Sequence, residues 1–445
     1  MNTSIVQKKY HLIVLGCQMN KSDGERIEHV LNLMGFEKAD SEEDANLFCV
    51  ISCSVRQTAM DRIHGKIHQW NEVKKQRPII TMLTGCVLPY DREQVAQKFD
   101  IFFEMNDLPK LPQYISQIPG FEMMNESTAS LAEYSDYFQV QPKYHEIFRA
   151  YVPIMTGCNK FCTYCAVPYT RGRERSRSVR EIMDEIQSLV DQGCLEVVLL
   201  GQNVNSYHPE DTSNFSGFNP YHDPFAALLW ELNQIPSLNR IHYTAPHPND
   251  MNEEAVDALT LPKHVRYLHL PMQSGDNEIL KKMNRKYSIE KYLELVGNIR
   301  EKIPDIAFGT DIIVGFCGET EDQFQRTVDA YKQVGFDISY HALYSSRPGT
   351  SADRVWKDDV VRQEKKRRWQ VLQDLMKEIT FSKNQRFVGH EVEVLGEKYK
   401  NGFCFGNTRE YKMAKFSGTV EDVGKIHHVR VQKAMTWVLE GEKIL

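Results

Sequence analysis

The sequence predicts an α/β protein in three parts: an N-terminal parallel sheet with helices, a central six-stranded partial (β/α)6 barrel, and a small antiparallel β-barrel at the C-terminus. Three observations carry this. Near the start, a short apolar run ends on a cysteine and gives way to a helical pattern, three times over. From Tyr151 onward, apolar runs and helical patterns alternate through six candidate strands. Beyond Phe387, glycines recur at 389, 396, 402, 406, 418 and 424 and cut the chain into short runs.

In the first part, His11 to Leu15 leads to Gly16-Cys17 and a helical pattern over Asp23 to Met34. Asn46 to Ile51 leads to Ser52-Cys53 and a helical stretch to Trp70, and Pro78 to Leu83 leads to Thr84-Gly85-Cys86 and another from Asp91 to Phe99. Strands alternating with helices make a parallel sheet, and ligands gather outside the carboxyl ends of such strands. Cys17, Cys53 and Cys86 are each expected just past a strand end, where they would converge as a second set of three thiolates for an iron-sulfur cluster. The bland alternative is three small buried hydrophobes, the usual fate of a free cysteine. That alternative is expected for Cys49, inside an apolar strand, and for Cys194, at a helix-to-strand junction.

From Asp107 to Tyr144 the periodicity fades around Pro109, Pro112 and Pro119 and the polar stretch Asn125 to Ser130, which reads as a connector. The central strands are expected at Tyr151 to Thr156, Glu196 to Leu200, Arg240 to Thr244, Tyr267 to Leu270, Phe308 to Val314 and Asp337 to Tyr344. Six are too few for a closed eight-stranded barrel. The carboxyl ends of these strands would present Cys158, Gln202 and Asn203, His247, Gln273 and Ser274, and Gly315. A charged helix over Arg362 to Lys383 leads to the last part, whose runs Glu391 to Leu395 and His428 to Val431 suit a small barrel. The expected divisions are 8–125, 144–378 and 380–445.

Composition bounds the function. A chain of 445 residues with 41% hydrophobic content can build two or three cores. Ten cysteines are too sparse for a disulfide scaffold, and Met1 to Tyr10 lacks a signal-peptide core, so a reducing cytoplasm is expected. No apolar run approaches the ~20 residues that span a bilayer, so no membrane contact is expected. The net charge of −6 argues against a uniformly basic nucleic-acid binder but leaves local patches open.

The most specific signal is Cys158-Asn159-Lys160-Phe161-Cys162-Thr163-Tyr164-Cys165. Three soft thiolates within eight residues suit three corners of a four-iron cluster and leave one iron open to a reactant. A structural zinc would want a fourth nearby ligand, and between Tyr151 and Tyr207 only Cys194 is on offer. The CxxxCxxC spacing resembles that of the radical S-adenosylmethionine (SAM) enzymes, whose open iron holds the methionine end of the cofactor. Tyr164 inside this loop is placed either to pack on the cofactor's adenine or to serve as ordinary core, and the sequence leaves both open.

Nearly the whole chain resembles the radical SAM methylthiotransferases, and among them the tRNA 2-methylthioadenosine synthases. Gly16-Cys17-Gln18-Met19-Asn20, Cys53-Ser54-Val55-Arg56 and Thr84-Gly85-Cys86 match the ligand motifs of that family's N-terminal domain. Cys158 through Arg177 matches its radical motif, and His269 to Gly275, Met283-Asn284-Arg285 and Ser346 to Thr350 also fit. The C-terminal barrel is similar to a TRAM module, an RNA-binding barrel. The resemblance implies that Cys158, Cys162 and Cys165 hold one 4Fe-4S cluster and that Cys17, Cys53 and Cys86 hold an auxiliary one. It implies that two SAM molecules are consumed: one methylates a sulfur on the auxiliary cluster, and the other yields a 5′-deoxyadenosyl radical. That radical takes hydrogen from C2 of an N6-isopentenyladenosine next to the tRNA anticodon (position 37), where the methylthio group then joins. Gln202, Gln273 and Tyr164 are the expected SAM contacts, and no catalytic side chain is expected beyond the cluster ligands. The expected partners are tRNA and an electron donor such as a flavodoxin or ferredoxin, and the chain is expected to be a monomer.

Two departures stand out: Cys317 where the family usually has proline, expected to be a packing residue, and Ser52 where threonine is common. Arg171, Arg173, Arg175 and Arg177 directly follow the cluster loop, with Arg180 beyond, and Ser178 to Glu181 resembles a capping box. A charge run is usually a solvated face, but this position suggests contact with tRNA phosphates. The cluster Lys365 to Arg368 is read as a solvated face only. Rival functions are methylthiolation of a threonylcarbamoylated adenosine in tRNA or of a ribosomal-protein aspartate, and, in another class, a non-catalytic iron-sulfur RNA-binding protein.

Overall fold

A computed structural model describes residues 8–53, 57–121 and 134–444, with backbone alone for 57–61. Ser54, Val55 and Arg56 of the second cysteine motif and the stretch Asn125 to Ser130 lie outside the described residues. The N-terminal strands are β1 (Lys9–Val14), β2 (Glu37–Lys38), β3 (Leu47–Cys53), β4 (Ile80–Cys86) and β5 (Ile101–Phe102). They form one parallel sheet in the order β2-β1-β3-β4-β5. This is a doubly wound order, and its ligand crevice lies where the winding reverses, between β1 and β3. All seven residues of β3 are buried, as a strand covered on both faces requires. On one face, Trp70 stacks on Phe48 with ring centroids 4.9 Å apart.

The strands run further than the apolar pattern does. Cys53 and Cys86 are the last residues of β3 and β4 and sit opposite each other in register, because the ladder continues through Ser52–Gly85. The expected connector is also corrected. Its described part is helical at Met105–Lys110, Leu111–Ser116 and Tyr137–Gln139, and Leu108, Leu111, Ile115, Tyr137 and Phe138 join the N-terminal core beside Ile27 and Leu31. Pro112 does not interrupt the short helix because it sits in its first turn, where no intrahelical N–H is needed.

The central strands are β6 (Arg149–Pro153), β7 (Met155–Thr156), β8 (Arg175–Ser176), β9 (Glu196–Leu200), β10 (Arg240–Tyr243), β11 (Tyr267–His269), β12 (Ala307–Val314) and β13 (Ile338–Leu343). The parallel arcs β6-β9-β10 and β11-β12-β13 are joined by a parallel bridge between Ile241 and His264. That is the expected six-stranded partial barrel. One expected strand is split: after Pro153 the chain leaves the arc, and β7 pairs antiparallel with β8. The segment between β7 and β8 is the cysteine loop. Outside the arcs, helices such as Val179–Asp191, Pro224–Gln234, Ile289–Lys302 and Glu321–Val334 cover one large core. Ser178 caps the first of these by accepting from the Glu181 N–H, while the Glu181 carboxylate leans toward Arg177 rather than back to the cap.

The C-terminal strands β14 (Glu391–Lys400), β15 (Phe403–Thr408), β16 (Met413–Ser417), β17 (Ile426–Ala434) and β18 (Leu439–Lys443) close in the order β14-β15-β16-β18-β17. One pair departs from the expected antiparallel pattern: β16 and β18 run parallel. Gly406 is required where β14 crosses, since a Cβ there would lie 1.8 Å from the Leu395 carbonyl oxygen. This barrel docks on the amino ends of the central strands. Arg149, Glu196 and Arg240 open β6, β9 and β10; Arg149 bonds Glu196 at 2.5 Å and Glu397 at 2.7 Å, and Arg240 bonds Glu393 at 2.9 Å. Tyr411 stacks on Tyr267 and donates to Glu196 at 2.9 Å. Lys365 and Arg368, expected on a solvated face, are instead buried, with Arg368 on Glu319 at 2.8 Å.

Replacing Arg240 by alanine leaves the fully buried Glu196 short of a cation. An uncompensated buried charge costs about 3–5 kcal/mol. The expected outcome is a lower thermal midpoint and faster proteolytic cutting between 384 and 391. Unchanged protease resistance would show that the ion pairs do not hold the barrel in place.

Candidate cluster-binding site

The cysteine loop is shaped by its ends and by a second segment that grips it. Gly157 takes φ +80°, and a Cβ there would meet the Arg173 carbonyl oxygen at 2.0 Å, so only glycine lets the loop close. Its N–H donates to Gln202 Oε1 at 2.5 Å, and the Cys158 N–H donates to Gly172 O at 3.1 Å. Phe161 lies in the left-handed region at φ 49° and turns the backbone between the first two cysteines. Asn284, also left-handed, donates from Nδ2 to the carbonyls of Lys160 and Phe161, each at 3.1 Å, and the Thr163 N–H donates to Met283 O at 3.1 Å. Arg285 then donates from Nη1 to Cys162 Sγ at 3.3 Å. The Met283-Asn284-Arg285 motif is thus a clamp on the loop.

The upstream thiols meet at the crevice between β1 and β3. Cys53 and Cys86 end adjacent strands, and Cys17 immediately precedes the helix Gln18–Leu33. Gly16 lies so close that a Cβ would come within 2.8 Å of Cys53 Cβ. Asn20 Nδ2 donates to the carbonyls of Leu15 at 2.5 Å and Ser52 at 2.8 Å, tying together the ends of β1 and β3. Arg171, at the end of the short helix after Cys165, donates from Nε to Cys86 Sγ at 3.1 Å. Both of its terminal nitrogens bond Asp23, and Nη2 also reaches Asn20 Oδ1 at 3.1 Å. Asp23 is fully buried and accepts from the Tyr137 hydroxyl at 2.7 Å.

Burial raises the thiols. Cys158 is pushed up to about 11 and Cys165 to about 12, and Cys17 is raised by burial and by the neighbouring Cys86 thiol. Among the described residues no group of three or more His, Cys, Asp or Glu could hold a lone metal ion as it stands. The fit to a cluster rests on the donor set: three thiols in each of two crevices, each set touched by a guanidinium, and the Val167 N–H aimed at Cys165 Sγ at 3.4 Å. N–H groups and cations directed at sulfur are what thiolates bound to iron want.

Around the carboxyl ends of the central strands lie Gln202, Asn203, His247 and Gln273. Asn203 Oδ1, His247 Nε2 and Gln273 Oε1 are buried without a hydrogen-bond partner. Burial, with Arg285 adding to it, lowers His247 to about 3, so it is neutral at physiological pH. Gln273 holds a left-handed φ of 65°. Orphaned polar atoms at one end of a barrel suit a polar cofactor more than a dry core. Tyr164 packs on the apolar cluster of Ile279, Met283, Phe316, Cys317, Tyr344 and Ala352, the core alternative. Cys317 is buried in that cluster, and Cys49 and Cys194 are buried in theirs.

The arginine run divides. Arg171 and Arg177 do not meet the expectation of phosphate contact: both are buried, Arg171 on Asp23 and Arg177 on Glu185. Arg173 and Arg175 are exposed, stacked on Phe161 at 4.6 Å and Phe138 at 5.0 Å, with Arg175 also paired to Asp136. Nothing in the sequence alone assigns Asp23, Asn20, Arg171 or Arg285 a role at the thiols, although Asn20, Arg171 and Arg285 stand within the matching motifs.

Comparison with known proteins agrees with this geometry. The Radical SAM superfamily model matches residues 152–331, Uncharacterized protein family UPF0004 matches 9–104, and the TRAM domain matches 385–444. Two solved structures share the fold. A radical SAM methyltransferase from Kitasatospora setae, solved with cobalamin and a [4Fe-4S] cluster, aligns with TM-score 0.53 and 14% identity over 78% of this chain and 74% of its own. The cobalamin-dependent SAM radical enzyme OxsB aligns with TM-score 0.55 and 13% identity over 79% and 60%. The class is therefore a radical SAM enzyme, and membership of it implies a 4Fe-4S cluster and SAM. Full-length relatives narrow the class. The tRNA-2-methylthio-N(6)-dimethylallyladenosine synthases of Acetivibrio thermocellus and Carboxydothermus hydrogenoformans are each 38% identical over 98% of this chain, covering 91% and 99% of their own lengths. This chain belongs to the tRNA-2-methylthio-N(6)-dimethylallyladenosine synthase family.

The raised thiols predict a pH dependence for the iron-free protein. Burial favours the protonated forms of Cys158 and Cys165 over their unfolded value of 9.0. That contribution to stability is complete below about pH 9 and is lost as pH climbs through 11 to 12. Urea midpoints of the iron-free chain should fall over this range more steeply than those of a Cys158→Ser/Cys165→Ser variant. Parallel curves would refute the burial argument.

Proposed function

We propose that this chain methylthiolates C2 of N6-isopentenyladenosine at position 37, beside the tRNA anticodon, with two 4Fe-4S clusters and two SAM molecules. The observation that supports it most is the pairing of two thiol triads across one side chain, Arg171, which follows one triad in sequence and touches a member of the other. A sulfur donor and a radical source held that close need no diffusing intermediate. When bound, the clusters and SAM supply the radical and the methylated sulfur.

The chain's own residues bind and orient. Cys158, Cys162 and Cys165 hold the radical cluster, and Cys17, Cys53 and Cys86 hold the auxiliary one. Gln202 fixes the start of the cysteine loop, and Asn203, His247 and Gln273 offer their unpartnered atoms to SAM. Tyr164 walls the loop on the side away from solvent. Residues 8–125 carry the sulfur source, 144–378 the radical chemistry and 380–445 an RNA handle. Arg173 and Arg175 at the loop rim meet the tRNA backbone. The protein works as a monomer in the cytoplasm, with electrons from a flavodoxin- or ferredoxin-type donor.

Mass spectrometry of tRNA nucleosides from cells lacking this protein should find the isopentenyl nucleoside persisting without its methylthio product; unchanged modification would overturn the reading. Anaerobically purified protein should carry about eight irons per chain, the sum of two four-iron clusters. About four would remove the auxiliary assignment. Replacing Arg173 and Arg175 by glutamine should weaken tRNA binding at all sequences and flatten its salt dependence by up to about two units of slope. An unaltered slope would place the RNA elsewhere.

A further inference from the structure

Each thiol triad is touched by one buried arginine, and the two arginines are balanced differently. Arg285 reaches Cys162 Sγ, the Tyr287 hydroxyl and the Pro271 carbonyl, none of them a carboxylate. Arg171 reaches Cys86 Sγ at 3.1 Å while both of its terminal nitrogens rest on Asp23. Arg171, Asp23 and Tyr137 are all buried, so little water screens them.

A guanidinium beside a cluster acts on it twice. Its N–H···S bond stabilises electron-rich sulfur, and its full charge stabilises any added electron; both raise the reduction potential. Asp23 removes the second effect and leaves the first. We propose that Arg171 and Asp23 form a matched pair on the auxiliary cluster: the arginine orients the Cys86 thiolate, and the aspartate cancels the charge that would make this cluster an easy electron acceptor. The inference rests on the auxiliary-cluster reading given under Proposed function. Arg171 is a positioning residue, since it acts through Cys86. The arrangement has a use. An electron delivered to this protein must end on the radical cluster, and an auxiliary cluster kept harder to reduce does not intercept it. Arg285, with no carboxylate beside it, biases the radical site the other way.

The test uses the full-length chain with Cys158→Ala, Cys162→Ala and Cys165→Ala, so that only the auxiliary cluster assembles, reconstituted anaerobically. Iron is counted, and the midpoint potential is followed by EPR for this parent, for added Arg171→Met and for added Asp23→Asn. Arg171→Met should lower the midpoint, and Asp23→Asn should raise it. Each shift should be about tenfold in the ratio of reduced to oxidised cluster at fixed poise, ~59 mV for a one-electron couple. Opposite signs are the diagnostic, because a purely structural role would move both variants alike. Shifts of the same sign, or none, overturn the proposal. So does loss of iron from both variants while the parent keeps about four, which would make the pair an assembly device. A parent that binds no iron would instead remove the auxiliary cluster itself, and the matched pair with it.

Discussion

The buried ion pair between Arg171 and Asp23 is the contact on which the rest of the site depends. Asp23 lies on the helix that follows Cys17, and Arg171 lies at the end of the helix that follows Cys165. Their union brings the carboxyl ends of two separate parallel-strand systems against each other. Neighbouring contacts follow the same seam: Met19 packs on Val198 and Leu200, Lys21 lies over the Tyr151 ring, and Arg347 meets Asp91 at 3.1 Å. A buried ion pair adds little net stability over well-packed apolar residues. Its value is register: only one seating of the N-terminal sheet satisfies Asp23, Asn20 and Cys86 with one guanidinium.

The same arginines suit a loaded site. Iron held by cysteine needs thiolates, so metal binding releases thiol protons. Arg171 donates to Cys86 Sγ and Arg285 to Cys162 Sγ, so a cluster on either triad would set its sulfur beside a guanidinium. Arg171 keeps Asp23 as its carboxylate partner throughout, whereas Arg285 bonds a thiol, a hydroxyl and a carbonyl.

Much of this was legible in the sequence, and the misses share a cause. The six central strands, the repeated strand-to-cysteine pattern and the glycine-rich barrel are periodic or punctuated locally, and local pattern is what a sequence displays. The two thiol triads follow from the spacing within one loop and from the rule that parallel strands gather ligands at their carboxyl ends. The departure of β7 from the arc, the helical packing around Pro109 and Pro112, and the parallel pairing of β16 with β18 are decided by tertiary partners. The arginine run is the sharpest case. Arg171, Arg173, Arg175 and Arg177 look alike in sequence, yet two are buried and two are exposed. Arg171 finds its carboxylate 148 residues away in Asp23, and Arg177 finds Glu185 only because that residue lies two turns along the next helix. Two breaks decide the split: the backbone turns at Gly172 between Arg171 and Arg173, and β8 ends at Ser176 before Arg177, so neither buried arginine continues the face of the exposed pair.

The position of the C-terminal barrel constrains how RNA is held. It grips the amino ends of β6, β9, β10 and β11, whereas the thiols stand at the carboxyl ends. An eight-residue strand such as β12 spans roughly 26 Å at about 3.3 Å per residue. On the proposed function, a tRNA bound by both regions would run along the outside of the central domain, with its body on the barrel and its anticodon loop at the cysteine loop. Each end is dressed for that. The barrel exposes Phe403 with Lys415 over its ring at 4.1 Å, and the loop rim exposes Arg173 over Phe161. Cations stacked on aromatic faces suit phosphate and base together without reading sequence. Neither pair reads a base edge, so on the proposed function selection of the adenosine would fall to the carboxyl end of the central strands and not to these contacts.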